Sequence, residues 1–160
     1  MELLPIYVED HLALALGGLR LARRCRDENR GTSLAAVLDD LLPELQDDQA
    51  ALSRALRALG GRPSLVKELA ITAGELVGRF KPNGRLLGYS PLSRVWELEA
   101  LVAGSSSRRA AFTVLARAEG LDPRLAGSGF DARAVRAGVH ADTLERARLR
   151  AAAEVLSGSG

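Results

Sequence analysis

The stretch GTSLAAVLDDLLPELQDDQAALSRALRALGG, residues 31–61, decides the fold. Leu34, Leu38, Leu41, Leu45, Leu52, Leu56 and Leu59 recur every three or four positions, the spacing of an apolar stripe along one face of an α-helix. Thr32 or Ser33 can cap its start, and Gly60-Gly61 end it. Pro43 lies inside and removes one backbone hydrogen bond, so a mild kink is expected there. Asp48 falls on the leucine stripe, between Leu45 and Leu52, and so is expected to point inward.

Working upstream, residues 3–27 form another helical pattern, and Gly31 turns the chain between the two. Long helices joined by so short a turn lie antiparallel. Leu4, Tyr7, His11, Ala15, Gly18, Leu21 and Cys25 share one stripe of this first helix, which puts a histidine on an apolar face. Counting back from the turn brings His11 level with positions 49–51, within a turn of Asp48. A lone buried aspartate or a buried charged histidine is costly, whereas a His–Asp pair satisfies both. Three readings stay open: a hydrogen-bonded pair that fixes helix register, a metal-ligand pair, or a histidine at the surface.

Downstream, residues 63–80 read as a shorter amphipathic helix with Val66, Leu69, Ala73, Leu76 and Phe80 on one side. Residues 81–91 read as a turn-rich connection, in which Tyr89 could cover one end of the bundle. Ser90-Pro91 then starts a third long helix, residues 91–118, with a capping hydroxyl and a proline at its first position. Gly104-Ser105-Ser106-Ser107 weakens its middle. Residues 119–130 read as a loop, residues 131–156 as a fourth long helix and residues 157–160 as a disordered tail. About 30 residues separate the second and third long helices, too many for a tight hairpin and suited to a helical crossover along the bundle. One all-α domain over residues 1–156 is the expectation.

Composition narrows the function classes. Aromatic residues make up only 4% of the 160, which favours helix over sheet. Twenty-two basic and 20 acidic residues give a net charge of +2, a mixed surface that would not hold nucleic acid at physiological salt. The single cysteine, Cys25, permits no intrachain disulfide and reads as a small apolar residue of a reducing, cytoplasmic compartment. Acidic residues interrupt the first apolar stretch, and no run suits a membrane span. Glycine-rich phosphate loops, paired Cys-x-x-Cys motifs, nucleophile elbows and HExxH are missing too.

Further candidates lie on the last two helices. Glu99 shares a face with Leu92, Val95, Val102 and Ser106 and is expected near the core, with Glu97 solvated. Glu145 and Asp142 border the apolar stripe Val135, Val139, Leu149 and Leu156. Arg148 or Arg150 offers Glu99 an ion pair as an alternative to metal ligation. Trp96 reads as a core anchor and His140 as an edge residue near the start of the fourth helix. Arg20, Arg23, Arg24, Arg26 and Arg30 gather at the end of the first helix, where cations oppose the helix dipole or offer a patch to an acidic partner. Gly17-Gly18 in mid-helix calls for a close helix crossing or room for a ligand.

This order of elements resembles the ferritin-like superfamily, including its small stress-associated bacterial members with a helix in the crossover. The resemblance implies a four-helix bundle in which the second and fourth helices each supply Glu-x-x-His to a pair of metal ions. The matching frames here are Glu44-Leu45-Gln46-Asp47 and Glu145-Arg146-Ala147-Arg148, and neither keeps its histidine. Arg148 cannot ligate a metal, because its guanidinium stays protonated. The resemblance therefore implies either a lost site or a different, mononuclear one using His11, Glu44 and Asp48 with iron, manganese or zinc, or, in an oxidase or iron-handling protein, an iron or manganese site that adds Glu99 and Glu145. The expected protein is a cytoplasmic, self-associating ferritin-like bundle, dimeric, with a degenerate metal site and a binding, structural or stress-related role. The alternatives are a metal-dependent oxidase or iron-handling protein, and a helical module for a protein partner.

Overall fold

A computed structural model describes residues 2–62 and 89–157. These residues form four long α-helices: α1 (Leu4–Glu28), α2 (Ser33–Ala58), α3 (Pro91–Glu119) and α4 (Phe130–Leu156), with a 3₁₀ turn at Pro123–Leu125 before α4. The expected crossover helix, the connection up to Gly88 and the last three residues of the tail lie outside the described residues. Among the described residues there is no strand, and no helix is long and apolar enough to cross a membrane.

Local chemistry accounts for the helix ends. Thr32 accepts a hydrogen bond from the Ala35 amide at the start of α2, and Ser90 accepts one from Ser93 at the start of α3, 3.1 Å away. Gly60 takes a positive φ of 83° just beyond α2, a conformation that favours glycine. At the start of α4 the residue before Phe130 is Gly129, which has no capping side chain. Glu119, the last residue of α3, supplies both carboxylate oxygens to the amides of Gly129 and Phe130 instead. One helix end thus caps the next. Neither Pro43 nor the Gly104–Ser107 run breaks its helix; α2 and α3 each run through as one element.

Two clusters of buried residues fill the bundle. The first joins Ala22 and Cys25 of α1, Leu38 and Leu45 of α2, Leu98 and Leu101 of α3, and Leu144 and Ala151 of α4. The second joins Val8, Leu12, Leu52, Leu56, Phe112, Leu115, Phe130 and Ala137 at the opposite end, with the rings of Phe112 and Phe130 stacked 5.9 Å apart. This pairing of halves sets the helix directions. The starts of α2 and α3 share one end with the finish of α1, and the starts of α1 and α4 share the other. Tyr89, just ahead of α3, lies against Asn29 at the α1–α2 turn, so α2 finishes at one end of the bundle and α3 begins at the other.

Several expected faces are corrected. On α4 the buried stripe is Phe130, Ala137, His140, Leu144, Ala147 and Ala151, whereas Val135, Val139, Leu149 and Leu156 face outward. Small residues line the inner side, where α4 packs along α3, and the bulkier apolar residues remain at the surface. On α3 Glu97 is buried and Glu99 is not, because the core-facing line follows Val95, Leu98, Leu101 and Ser105. Trp96 is half exposed and anchors no core. A Cβ added at Gly17 or Gly18 would meet nothing within 4 Å, so no close helix crossing explains that pair.

Candidate functional site

The centre of the bundle holds a charged network. Asp48 of α2 is 0% exposed, as its place on the leucine stripe implied. Among the described residues three guanidinium groups meet it: Arg108 of α3, whose Nε is 3.0 Å from Oδ2, and Arg133 and Arg136 of α4, which donate to Oδ1. Arg133 and Arg136 also bind the neighbouring Asp47, at 2.6 and 3.0 Å. Hydrogen bonds from these two arginines hold the Asp47 carboxyl below its usual range. The spacing Arg133, Arg136, His140 repeats every three to four residues, so one edge of α4 delivers all three groups to α2.

His140 links the network to Glu44. Its Nδ1 lies 3.1 Å from Arg108 Nη2, and its Nε2 meets the Glu44 carboxylate. Arg108 can only donate, so Nδ1 must accept and the ring proton sits on Nε2, pointing at Glu44. The imidazole is therefore neutral with one fixed tautomer. Its pKa is lowered, first by burial and then by the charge of Arg108, against the opposing effect of the hydrogen bond it donates to Glu44.

Of the five residues singled out from sequence, Glu44 and Asp48 share this network, while His11, Glu99 and Glu145 have other partners. His11 is half buried on α1 and packs its ring edge-on against Tyr7, with centroids 4.5 Å apart. Burial lowers its pKa. It lines a small cleft with Gly18, Gly104 and Arg108, about 30 Å³ in volume, room for about two waters and no organic ligand. Glu44 pairs with His140 and Asp48 with arginines, while Glu99 and Glu145 both pair with Arg148, at 3.4 and 2.6 Å. The ion pair foreseen for Glu99 is thus present.

Guanidinium groups dominate the charge of the network. A cation beside Asp48 would face three guanidinium charges at close range in a poorly screened interior. Among the described residues no group of three or more His, Cys, Asp or Glu side chains could hold a metal. Arg148 likewise neutralises Glu145, where the metal-binding pattern would need a free ligand.

A second buried cluster lies at the α1–α2 turn. Tyr89 donates to Glu97 Oε2 at 2.8 Å and accepts from Asn29 Nδ2 at 2.9 Å. Arg24, whose side chain is largely in solvent, reaches Glu97 Oε1 at 3.3 Å. Asn29 also donates to the Cys25 carbonyl at 2.7 Å, which closes the end of α1. Burial raises the pKa of Glu97, and burial with the nearby Glu97 charge pushes the Cys25 thiol up to about 12. A thiol held there is protonated at neutral pH and a poor nucleophile. The arginine-rich end of α1 is partly neutralised as well, with Arg26 on Asp27 and Asp39 and Arg30 on Asp27.

Sequence reasoning missed Arg108, Arg133, Arg136, His140, Glu97 and Asn29. Only the i, i+3, i+7 spacing of Arg133, Arg136 and His140 gave a signal, and it appears only once the inner face of α4 is known. No family model, curated protein or solved structure matches the chain.

Proposed function

We propose that this chain is a metal-independent member of the ferritin-like architecture, a binding or structural protein in which arginines occupy the place of a metal centre. One observation carries the reading: Asp48, fully buried at the middle of the bundle, is neutralised by Arg108, Arg133 and Arg136. In a metal-binding relative, carboxylates at this depth would be neutralised by cations. Here guanidinium groups supply the charge, and His140 and Glu44 satisfy each other. Among the described residues every central carboxylate and imidazole is paired, so neither oxidation nor acid–base catalysis suits the centre.

The opposite bundle ends at which α2 stops and α3 starts support a crossover between them, and with it the ferritin-like topology. The cytoplasm is the compartment that suits its one buried thiol.

The test is a titration of the purified protein with iron(II), manganese(II) and zinc(II), followed by calorimetry and by metal content after desalting. The expected result is no stoichiometric binding and no rise in unfolding temperature. One equivalent of metal retained, and lost in Glu44→Gln, would overturn the proposal.

A further inference from the structure

The outer face of α4 is regular in a way its own bundle does not use. Ala132, Val135, Val139, Asp142, Arg146, Leu149, Ala153 and Leu156 are all exposed, and the steps between them alternate three and four residues throughout. That alternation is the seam of a coiled coil. The large apolar members stand well out in solvent: Val135 is 71% exposed, Val139 58%, Leu149 54% and Leu156 87%. Two charges interrupt the seam near its middle. Among the described residues Asp142 forms no ion pair and Arg146 donates only to Thr143.

We infer that this face pairs with the same face of a second copy, the two α4 helices running antiparallel about a two-fold axis at residue 144. The charges select that arrangement. Asp142 and Arg146 lie equally far on either side of residue 144, so antiparallel pairing sets Asp142 of each copy against Arg146 of the other. Val139 then meets Leu149, Val135 meets Ala153, and Ala132 meets Leu156, each contact made twice, as a two-fold interface requires. Parallel pairing in register would set Asp142 against Asp142 and Arg146 against Arg146, which repel. A partner of different sequence would need no such symmetry. The face is apart from the buried arginine network, so this pairing stands whether or not the bundle binds metal.

Sedimentation and light scattering of the full chain over a range of concentration test it. A single helix pair is a small interface, below about 1,200 Å², so a reversible dimer in the micromolar range is expected. Asp142→Arg or Arg146→Asp alone places like charges opposite each other twice and weakens the dimer about tenfold. Combining the two reversals restores opposite charges and dimerisation. Val139→Asp yields a monomer with the parent's helical content. A chain that stays monomeric at all concentrations overturns the inference, as does a dimer that neither single reversal weakens. Single reversals that weaken a dimer which the double reversal fails to restore exclude the antiparallel arrangement.

Discussion

Arg108 Nε lies 3.0 Å from Asp48 Oδ2, and this contact joins the α1–α2 hairpin to the α3–α4 hairpin at the middle of the bundle. A buried ion pair of this kind adds little over a well-packed apolar pair, but removing one partner strands the other. Asp48→Leu leaves three guanidinium groups without their shared acceptor and is expected to cost about 3 kcal/mol by chemical denaturation. A double-mutant cycle with Arg108→Met should show coupling, and one with His11→Leu should be additive. Coupling of His11 to Asp48 would contradict the placement of His11 against Tyr7.

The fixed tautomer of His140 has a pH signature. Its folded pKa is lowered, so below the unfolded value of about 6.5 the unfolded chain takes up the proton more readily. Its contribution is complete above that pH and is lost as the solution is acidified. The stability difference between the parent and His140→Gln should therefore shrink from pH 7.5 towards pH 5. A difference that grows on acidification would mean that the imidazole is charged in the fold.

Glu97 works in the opposite direction. Burial raises its folded pKa, so above the unfolded value of about 4.3 the folded chain holds its proton more tightly than the unfolded chain. Stability from this group falls as pH rises through that window. Relative to Glu97→Gln, the parent should lose stability as pH rises above the unfolded value of about 4.3, the reverse of the His140 trend. A flat difference would show that Glu97 ionises as it does in the unfolded chain.

Gly18 and Gly104 line the same cleft between α1 and α3, and a Cβ at either meets nothing within 4 Å. Replacing either with alanine should raise stability by about 1 kcal/mol, the ordinary helix-propensity difference. Destabilisation, read by the same denaturation, would show that the two helices approach more closely than this.

The helices themselves were legible because residues 31–61 carry a long leucine period with clear caps, and the inward turn of Asp48 followed from that period. The partners of Asp48 were not legible. They lie on α3 and α4: the inner stripe of α4 is half alanine with a single polar residue, and on α3 Arg108 falls beyond the core-facing run Val95, Leu98, Leu101 and Ser105. On α4 the bulky residues Val135, Val139, Leu149 and Leu156 drew the inward face to the outer side, and this hid Arg133, Arg136 and His140. On α3 a shift of two positions exchanged Glu97 for Glu99. Apolar bulk locates a core only where the core is bulky, and close packing of small residues reverses that cue.

The signs of the paired charges divide by hairpin. At the central level α2 brings the acids, Glu44, Asp47 and Asp48, while α3 and α4 bring the arginines and His140. At the far end the order reverses, with Arg24 on α1 and Glu97 on α3. Each hairpin forms from neighbouring sequence, but it carries a row of charges that only the other hairpin, in one orientation, can match. A hairpin docked end for end would set Glu97 near the acids of α2 and the arginines of α4 near Arg24. The polar centre thus serves as an address label, which tells the second half of the chain which way up to arrive.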